Sequence, residues 1–354
     1  MRSWFRKKIK QRFKCNLDLK KPDTISGDGM FFFLFRSFCS VSFVFFVLFC
    51  ITPLAYSQSD PQFSQNMFNP LVVNPGFAGH SGQINLVAVD RHQWVGLEGA
   101  PRTTVVGADM AINNFFGNPG GVGLVVMNDE IGFFRNITIN GSIAQRYFVG
   151  DGRIGVGLTI GLFNQVFDGT KVRTGTSSDY HSDEDPSIDQ IEYNGTAFDS
   201  GVGVWYEDGN IYAGLSILHL FEPKPNFNEE LNVYTPRSFY FTAGYSHTLY
   251  EVPVTLKPSF FLKNSSNSWQ LDLNMNMIFR ERYWGGLSYR IQDAVVLLGG
   301  VELQNGLKIG YSYDITTSKL SRAGSGGSHE IMVGYTFDLS LNRREKRYRS
   351  VRFL

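Results

Sequence analysis

The sequence is poor in cysteine, in charge and in long apolar runs. Its 354 residues include three cysteines, Cys15, Cys39 and Cys50, and all of them precede residue 57. A chain that begins after that point has no disulfide, no thiol nucleophile and no thiolate metal ligand. Charged residues make up 18% of the chain, below the usual quarter. Beyond residue 57 there is no run of about eighteen apolar residues, so this part of the sequence contains no helical membrane span.

The segment before residue 58 has the features of an export signal. Arg36 precedes an apolar run, 41–54, and Ala55-Tyr56-Ser57 has the small-x-small pattern of a cleavage site. The run is shorter than the roughly 20 residues of a spanning helix. We therefore predict that residues 1–57 are a leader. Either its basic region is unusually long or translation begins at Met30, and we favour the second.

Removal of the leader makes the remaining chain acidic. Residues 58–354 hold 23 basic and 29 acidic residues, a net charge of −6. Six of the basic residues lie between Arg343 and Arg352, and we predict that residues 339–354 form a basic periplasmic tail. The rest of the chain repels phosphate, which excludes a nucleic-acid-binding protein.

What the sequence does contain is alternation with a period of two, together with many aromatic residues (15%) and 37 glycines. Between residues 269 and 277, for example, one face is apolar and the other polar. The apolar face holds Trp269, Leu271, Leu273, Met275 and Met277, and the polar face Gln270, Asp272, Asn274 and Asn276. The pattern predicts strands at 83–93, 102–112, 120–129, 133–146, 152–166, 196–207, 209–219, 237–248, 251–262, 268–279, 281–291, 293–304, 306–317 and 328–338.

The connections between these strands alternate between short and long. Gly150-Asp151-Gly152, Asp208-Gly209 and Gln304-Asn305-Gly306 are tight turns after even-numbered strands, whereas 167–195, 220–236 and 318–327 are long loops after odd-numbered ones. Bacterial outer-membrane barrels have short periplasmic turns and long external loops. The predicted fold is therefore an all-β, transmembrane outer-membrane β-barrel of about 14 antiparallel strands over residues 83–338, with both mature termini periplasmic. Residues 58–82 lack strand periodicity and are predicted to be a plug or a periplasmic latch.

Catalytic and metal-binding patterns are weak. Gly150-x-Gly152-x-x-Gly155 precedes a strand rather than the helix that a dinucleotide site requires, so turn and lumen glycines explain it better. The six histidines include no pair at i, i+4, and Ser246 and His247 would point to opposite faces of a strand. We therefore predict no catalytic residue, no cofactor and no metal site.

An acidic segment between Asp168 and Glu192 offers oxygen ligands without the EF-hand spacing. It contains Asp179, Asp183, Glu184, Asp185 and Asp189. Calcium binding is the alternative reading; a solvated external loop is the simpler one.

One part of the sequence departs from a generic barrel. Residues 60–70 read DPQFSQNMFNP, residues 74–79 read NPGFAG, and Arg91-His92-Gln93-Trp94 and Gly99-Ala100-Pro101-Arg102-Thr103 follow. This order of motifs strongly resembles the PorP/SprF family of type IX secretion outer-membrane proteins of the Bacteroidetes. Asn66 stands where the family often has tyrosine, and Gly76-Phe77 where Ala-Tyr is common. His329-Glu330-Ile331 also resembles the family's closing segment.

The resemblance implies a non-enzymatic barrel that supports secretion, surface attachment or gliding motility. Its implied partners are outer-membrane lipid, periplasmic components of the type IX machinery, and a secreted client or adhesin with a C-terminal sorting domain. A passive diffusion channel is the alternative function, and a lipid-modifying enzyme a third. The resemblance marks the following residues as partner-binding or plug residues, although all of them could instead serve to fold the N-terminal segment: Asp60, Pro61, Gln62, Phe63, Ser64, Gln65, Met67, Phe68, Asn69, Pro70, Asn74, Pro75, Ala78, Gly79, Arg91, Gln93, Trp94, Gly99 and Pro101.

Overall fold

Fourteen antiparallel strands form one closed sheet in the computed structural model, which describes residues 60–115, 117–171, 191–227, 234–249, 251–266 and 268–337. The predicted leader, the centre of the acidic loop and the basic tail lie outside these residues. The strands are β1 Ile84–His92, β2 Arg102–Phe115, β3 Asn118–Ile131, β4 Phe134–Val149, β5 Gly152–Asp168, β6 Glu192–Asp208, β7 Ile211–Leu218, β8 Ser238–Tyr245 with its continuation His247–Leu249, β9 Val254–Ser265, β10 Ser268–Phe279, β11 Tyr283–Arg290, β12 Ala294–Glu302, β13 Leu307–Thr316 and β14 Ser328–Phe337.

The sheet closes because its first and last strands pair with each other. β1 and β14 run antiparallel from Ile84 opposite Phe337 to His92 opposite His329. Each of the other strands pairs with its neighbours in sequence, so every strand has a partner on both sides and no sheet edge is left open. The prediction of a fourteen-stranded barrel is confirmed.

The alternation in the sequence separates the outside of the barrel from its lumen. On β10, Leu273, Met275 and Met277 are exposed on the outer surface, whereas Asp272 and Asn274 are buried in the lumen. The same alternation on the other strands gives an apolar exterior, which suits a lipid environment. No helix within the described part of the chain is long and apolar enough to span a membrane.

Some predicted strand boundaries were wrong. β9 was predicted to begin at residue 251 but begins at Val254, because the hairpin from β8 includes Pro253, which has no N–H to donate. β8 was predicted as one strand over 237–248, but Ser246 interrupts it. The Ser246 N–H donates to the Asn210 carbonyl, 2.7 Å away, instead of to a strand partner. β5 and β6 extend further into the long loop than predicted.

Candidate functional site

The N-terminal segment, residues 60–82, lies inside the barrel and contacts the inner wall along much of its length. It folds into three short 3₁₀ turns, Asn66–Phe68, Pro70–Val72 and Pro75–Phe77. Proline begins two of these turns, where a missing N–H costs nothing. Asn74 is extended before Pro75, and its side chain caps the third turn by accepting from Gly76 N–H at 2.9 Å. We call residues 60–82 the lumen segment.

A cluster of buried charges holds the first part of the lumen segment. The Glu330 carboxylate accepts the backbone N–H groups of Ser64 (2.7 Å) and Gln65 (2.8 Å). The Ser64 hydroxyl donates to Asp314 at 2.6 Å and accepts from Arg91 Nη1 at 2.7 Å. Arg91 also pairs with Asp314 (2.7 Å) and Glu330 (3.1 Å). A single serine thus joins strands β1, β13 and β14 through charge-assisted hydrogen bonds.

Arg290 extends this group along the wall to strands β10 and β11. It bonds Asp272 at 3.2 Å and Asp314 at 3.1 Å, and the more exposed Asp293 lies 3.5 Å away. Two guanidinium groups thus share three buried carboxylates near the long-loop end of the barrel. Their side chains are almost fully buried, and charges in such a site are stable only when paired. We call this group the arginine cluster: Ser64, Gln65, Arg91, Asp272, Arg290, Asp314 and Glu330.

A second cluster fixes the beginning of the lumen segment. The Asp60 carboxylate contacts His219 Nε2 at 3.1 Å and accepts from the Tyr240 hydroxyl at 2.6 Å. His219 Nδ1 lies 3.1 Å from Asp199, and Lys263 Nζ donates to the Asp60 backbone carbonyl at 2.5 Å. We call this group the histidine cluster: Asp60, Asp199, His219, Tyr240 and Lys263.

The two charges of the Asp60–His219 pair stabilise each other. Burial alone would raise the pKa of Asp60, but His219 and Lys263 outweigh burial and hold that pKa below its usual value. Burial alone would lower the pKa of His219, but Asp60 and Asp199 raise it to about 10. Asp60 is therefore ionised and His219 protonated at neutral pH.

Glycines in the wall allow the backbone of the lumen segment to approach it closely. A Cβ atom added to Gly76 would lie 2.8 Å from the Gly155 carbonyl oxygen and 3.0 Å from that of Gly203. A Cβ at Gly121 or Gly157 would overlap the backbone of the lumen segment. Gly155 belongs to the Gly150-x-Gly152-x-x-Gly155 pattern considered above as a dinucleotide site. In the structure it packs against the backbone of Gly76 instead.

Hydrogen bonds and apolar contacts complete the docking. The Arg146 guanidinium donates to the Ala78 carbonyl (2.7 Å), and the Gly79 N–H donates to Asp109 (2.8 Å). Phe63, Leu71 and Ala78 pack into the core of the barrel with inward residues of several strands. Phe68 lies 5.0 Å from Trp284 between ring centroids, and Phe77 5.1 Å from Trp205.

The structure brings most of the residues predicted from the resemblance into this one site. Thirteen of them are buried: Asp60, Gln62, Phe63, Ser64, Gln65, Asn69, Asn74, Pro75, Ala78, Gly79, Arg91, Gln93 and Pro101. Five are half-buried, namely Pro61, Met67, Phe68, Pro70 and Trp94, and Gly99 is exposed. Trp94, Gly99 and Pro101 lie in the connection from β1 to β2 rather than against the lumen segment. The contacts of the other sixteen are largely internal, as the folding interpretation of the motif expects.

The lumen segment runs in a direction that the sequence did not indicate. Asp60 lies beside His219 and Tyr240, at the end of the barrel where β7 leads into the long loop to β8. The segment then crosses the lumen and enters β1 at Ile84, at the end with short turns. Both mature termini were expected on the short-turn side. Phe337, the last described residue, lies on that side, and Asp60, the first described residue, lies near the opposite end.

Several residues of the site were not identified from the sequence. Asp199, His219, Tyr240, Lys263, Asp272, Arg290 and Asp314 were not singled out as site residues, and Glu330 was noted only as part of the family's closing segment. Their signal was present but unspecific: Asp199, Lys263, Asp272, Arg290 and Asp314 each lie on the polar face that the alternation assigns to the lumen.

The other candidates from the sequence do not form a site. Ser246 lines a lumen cavity, whereas His247 is exposed and lies near the Tyr245 ring on the outer surface. The two residues therefore face opposite sides of the wall, as predicted. Asp179, Asp183, Glu184, Asp185 and Asp189 lie outside the described residues. Among the residues that are described, no group of three or more potential ligands could hold a metal ion.

A closed barrel with an apolar exterior and a lumen occupied by its own N-terminal segment defines an outer-membrane β-barrel protein. Residues 55–335 match the family described as Type IX secretion system membrane protein PorP/SprF. The chain belongs to this family, which confirms the resemblance seen in the sequence.

Solved structures with a similar course of the chain are distant barrels. A FadL homologue of Pseudomonas aeruginosa is 11% identical, with 79% of this chain and 95% of that chain covered and a TM-score of 0.42. The toluene transporter TbuX of Ralstonia pickettii is also 11% identical (77% and 93% covered, TM-score 0.44). The translocator domain of the autotransporter NalP from Neisseria meningitidis is 13% identical (72% and 88%, TM-score 0.38). No curated protein sequence matched the chain.

Proposed function

We propose that the protein is a non-enzymatic scaffold of the type IX secretion machinery that supports the secretion or surface attachment of a client protein. The observation that carries this proposal is the occupied lumen. The lumen segment is bound to the wall through the arginine cluster, the histidine cluster and an apolar core. A barrel filled in this way offers no passage for a folded client, so its contribution is to bind other components.

The orientation follows from the loops. Short turns face the periplasm in bacterial barrels, so the short-turn end is the surface available to periplasmic components of the machinery. Phe337, the last residue that the structure describes, lies on that side. The long-loop end, where Asp60 lies, faces outward and is the surface available to a client or adhesin with a C-terminal sorting domain. A role in gliding motility is one form of the same activity.

Native purification of the tagged protein from its own cells tests this proposal. We expect periplasmic machinery components and at least one protein with a type IX sorting domain to co-purify. The matched control is an unrelated outer-membrane barrel with the same tag, expressed at the same level. Recovery of lipids and general porins alone, in both samples, would refute the scaffold function.

The occupied lumen also gives an expectation that separates this function from its alternative, a passive diffusion channel. The full-length barrel in a planar bilayer should show no steady open state, because the lumen segment fills the centre of the pore. A steady large conductance from the intact protein would favour a diffusion channel.

A further inference from the structure

Three cavities adjoin one another along one side of the lumen segment. The first, of about 340 Å³, lies at the long-loop end between Trp94, Lys263, Gln270 and Asp293. The second, of about 270 Å³, lies at the short-turn end between Phe77, Trp205, Lys257 and Trp284. A third space of only about 10 Å³ lies between them. We call these the outer cavity, the inner cavity and the neck.

The neck shares lining residues with both larger cavities. Gln62, Lys263 and Gln270 line the neck and the outer cavity. Asn66, Val73 and Phe261 line the neck and the inner cavity. The three spaces therefore form one path, interrupted where the neck is narrowest. A volume of 10 Å³ is about one probe sphere, enough for a single water molecule.

Strand β9 forms one wall of this path. Its inward side chains Lys257, Ser259, Phe261 and Lys263 follow one another from the inner cavity to the outer cavity. Six residues of extended chain span about 20 Å, which is most of the roughly 25 Å apolar band of a barrel. Phe261 is the bulky apolar residue of this row, and Phe63 of the lumen segment lines the same neck.

The charge at the neck favours anions. Lys263 is the one charged side chain among the described residues that line it. No carboxylate of the described chain lies within ion-pair distance of its ammonium group, which donates to the Asp60 backbone carbonyl instead. Cationic side chains at a constriction attract anions and repel cations.

We propose that the barrel contains a gated conduit for small inorganic anions beside its lumen segment, closed at the neck by Phe63 and Phe261. Movement of either ring joins the outer and inner cavities without displacing the lumen segment. The conduit goes beyond the scaffold function and is independent of it, because it needs only the barrel and the docked segment.

The test is planar-bilayer recording of the full-length protein in a potassium chloride gradient. We expect Phe261→Ala to show a small steady conductance that wild type lacks, with a reversal potential shifted toward the chloride equilibrium potential. Adding Lys263→Gln, which also removes the donor to the Asp60 carbonyl, should remove that shift, and protection of the Ser64 and Gln65 amides in this double variant checks that the lumen segment stays docked. Val296→Ala is the matched control, since Val296 is a buried residue of β12 that lines none of the three spaces; it should behave as wild type.

Hydrogen exchange distinguishes an open neck from a released lumen segment. The Ser64 and Gln65 amides donate hydrogen bonds to the Glu330 carboxylate. They should remain protected from exchange in Phe261→Ala. Gln270→Ala widens the same neck from β10 and serves if Phe261→Ala does not fold. Conductance equal to wild type in both variants, a cation-selective current, or a current that appears only with loss of Ser64 and Gln65 protection would each overturn the proposal.

Discussion

At the scale of single residues, the lumen segment is specified by buried charges rather than by apolar contact alone. Arg91 is 1% exposed and Glu330 is fully buried. Burying such a pair costs much of what the attraction returns, but removing one partner leaves an unpaired buried charge and costs about 3–5 kcal/mol. The pair therefore selects one docked position of Ser64 and Gln65 more than it adds net stability.

Glu330→Gln tests this specification. The amide has one acceptor oxygen for two backbone N–H groups and no charge for Arg91, so the Ser64–Gln65 region should open more often. A loss of about 3 kcal/mol corresponds to roughly 100-fold faster exchange, measured by hydrogen–deuterium exchange of Ser64 and Gln65. Glu302→Gln is the control, because Glu302 pairs with Lys308 at 3.6 Å on a partly exposed surface, where pairs contribute little. Equal exchange in the two variants would contradict the specification.

The histidine cluster predicts a pH range for docking. The pKa of Asp60 is lowered from 3.8, so its contribution is present above that value and is lost as pH falls below it. The pKa of His219 is raised from 6.5 to about 10, so its contribution is complete below 6.5 and is lost as pH rises toward 10. Docking of the lumen segment should thus be strongest between pH 3.8 and pH 6.5 and should weaken at lower and at higher pH.

Protease accessibility of the lumen segment, measured at each pH, checks this range. The double variant Asp60→Asn, His219→Gln provides the reference, since it has the same protease sites and neither charge. The ratio of the wild-type cleavage rate to the variant's cleavage rate should be lowest between pH 3.8 and pH 6.5. A ratio independent of pH between 3 and 10 would show that the pair does not control docking.

At the scale of elements, the wall strands are shaped to receive a chain with no regular structure. β3 and β5 place Gly121, Gly155 and Gly157 where the backbone of the lumen segment approaches most closely, and β6 places Gly203 against the Asn74 side chain. A glycine face inside a barrel costs some strand stability, and here it allows backbone contact that any side chain would prevent. The sequence analysis explained Gly155 as a turn or lumen glycine, but it gave no reason why a side chain is excluded there.

Gly157→Ala should displace the lumen segment from this face. The new methyl group would overlap the Pro75 backbone, and an overpacked contact of this kind costs about 1–3 kcal/mol. Gly141→Ala is the matched control, because Gly141 lies on the outer face of β4 and its Cβ would meet the nearest atom at 3.7 Å. Only the first variant should increase proteolysis of residues 60–82, while both retain a barrel that resists SDS unfolding. Unchanged proteolysis in Gly157→Ala would mean that the segment does not depend on this contact.

The same elements show what a sequence can predict. Strand number and the inward face followed from alternation with a period of two, because that pattern is local. The interruption of β8 at Ser246 did not follow, since it depends on a hydrogen bond to Asn210 in the turn between β6 and β7. The docking of Ser64 on Glu330, 266 positions apart, has no local signal at all. The resemblance named Ser64 and Arg91 as partner-binding or plug residues, and the fold brings both into contact with Asp314 and Glu330.

At the scale of the whole molecule, a barrel of fourteen strands conducts unless its lumen is filled. Eight-stranded barrels are filled by their own side chains, and those with sixteen or more strands enclose water. Here the lumen segment occupies the intermediate space, with its first described residue at the long-loop end and its last at the start of β1. The segment therefore crosses the lumen from one end to the other, so that its removal clears a path through the entire barrel.

Deletion of residues 60–80 should convert the closed barrel into an open pore. The strands pair with one another over Ile84–Phe337 without using the segment, so the deletion variant should still resist SDS unfolding at room temperature. In planar bilayers it should show a steady conductance that is absent from the intact protein and larger than that of Phe261→Ala, because the whole lumen rather than the neck is opened. The arginine cluster would lose Ser64 and Gln65 but keep its paired wall residues. A deletion variant that folds yet stays closed would show that the long loops, not the lumen segment, seal the barrel.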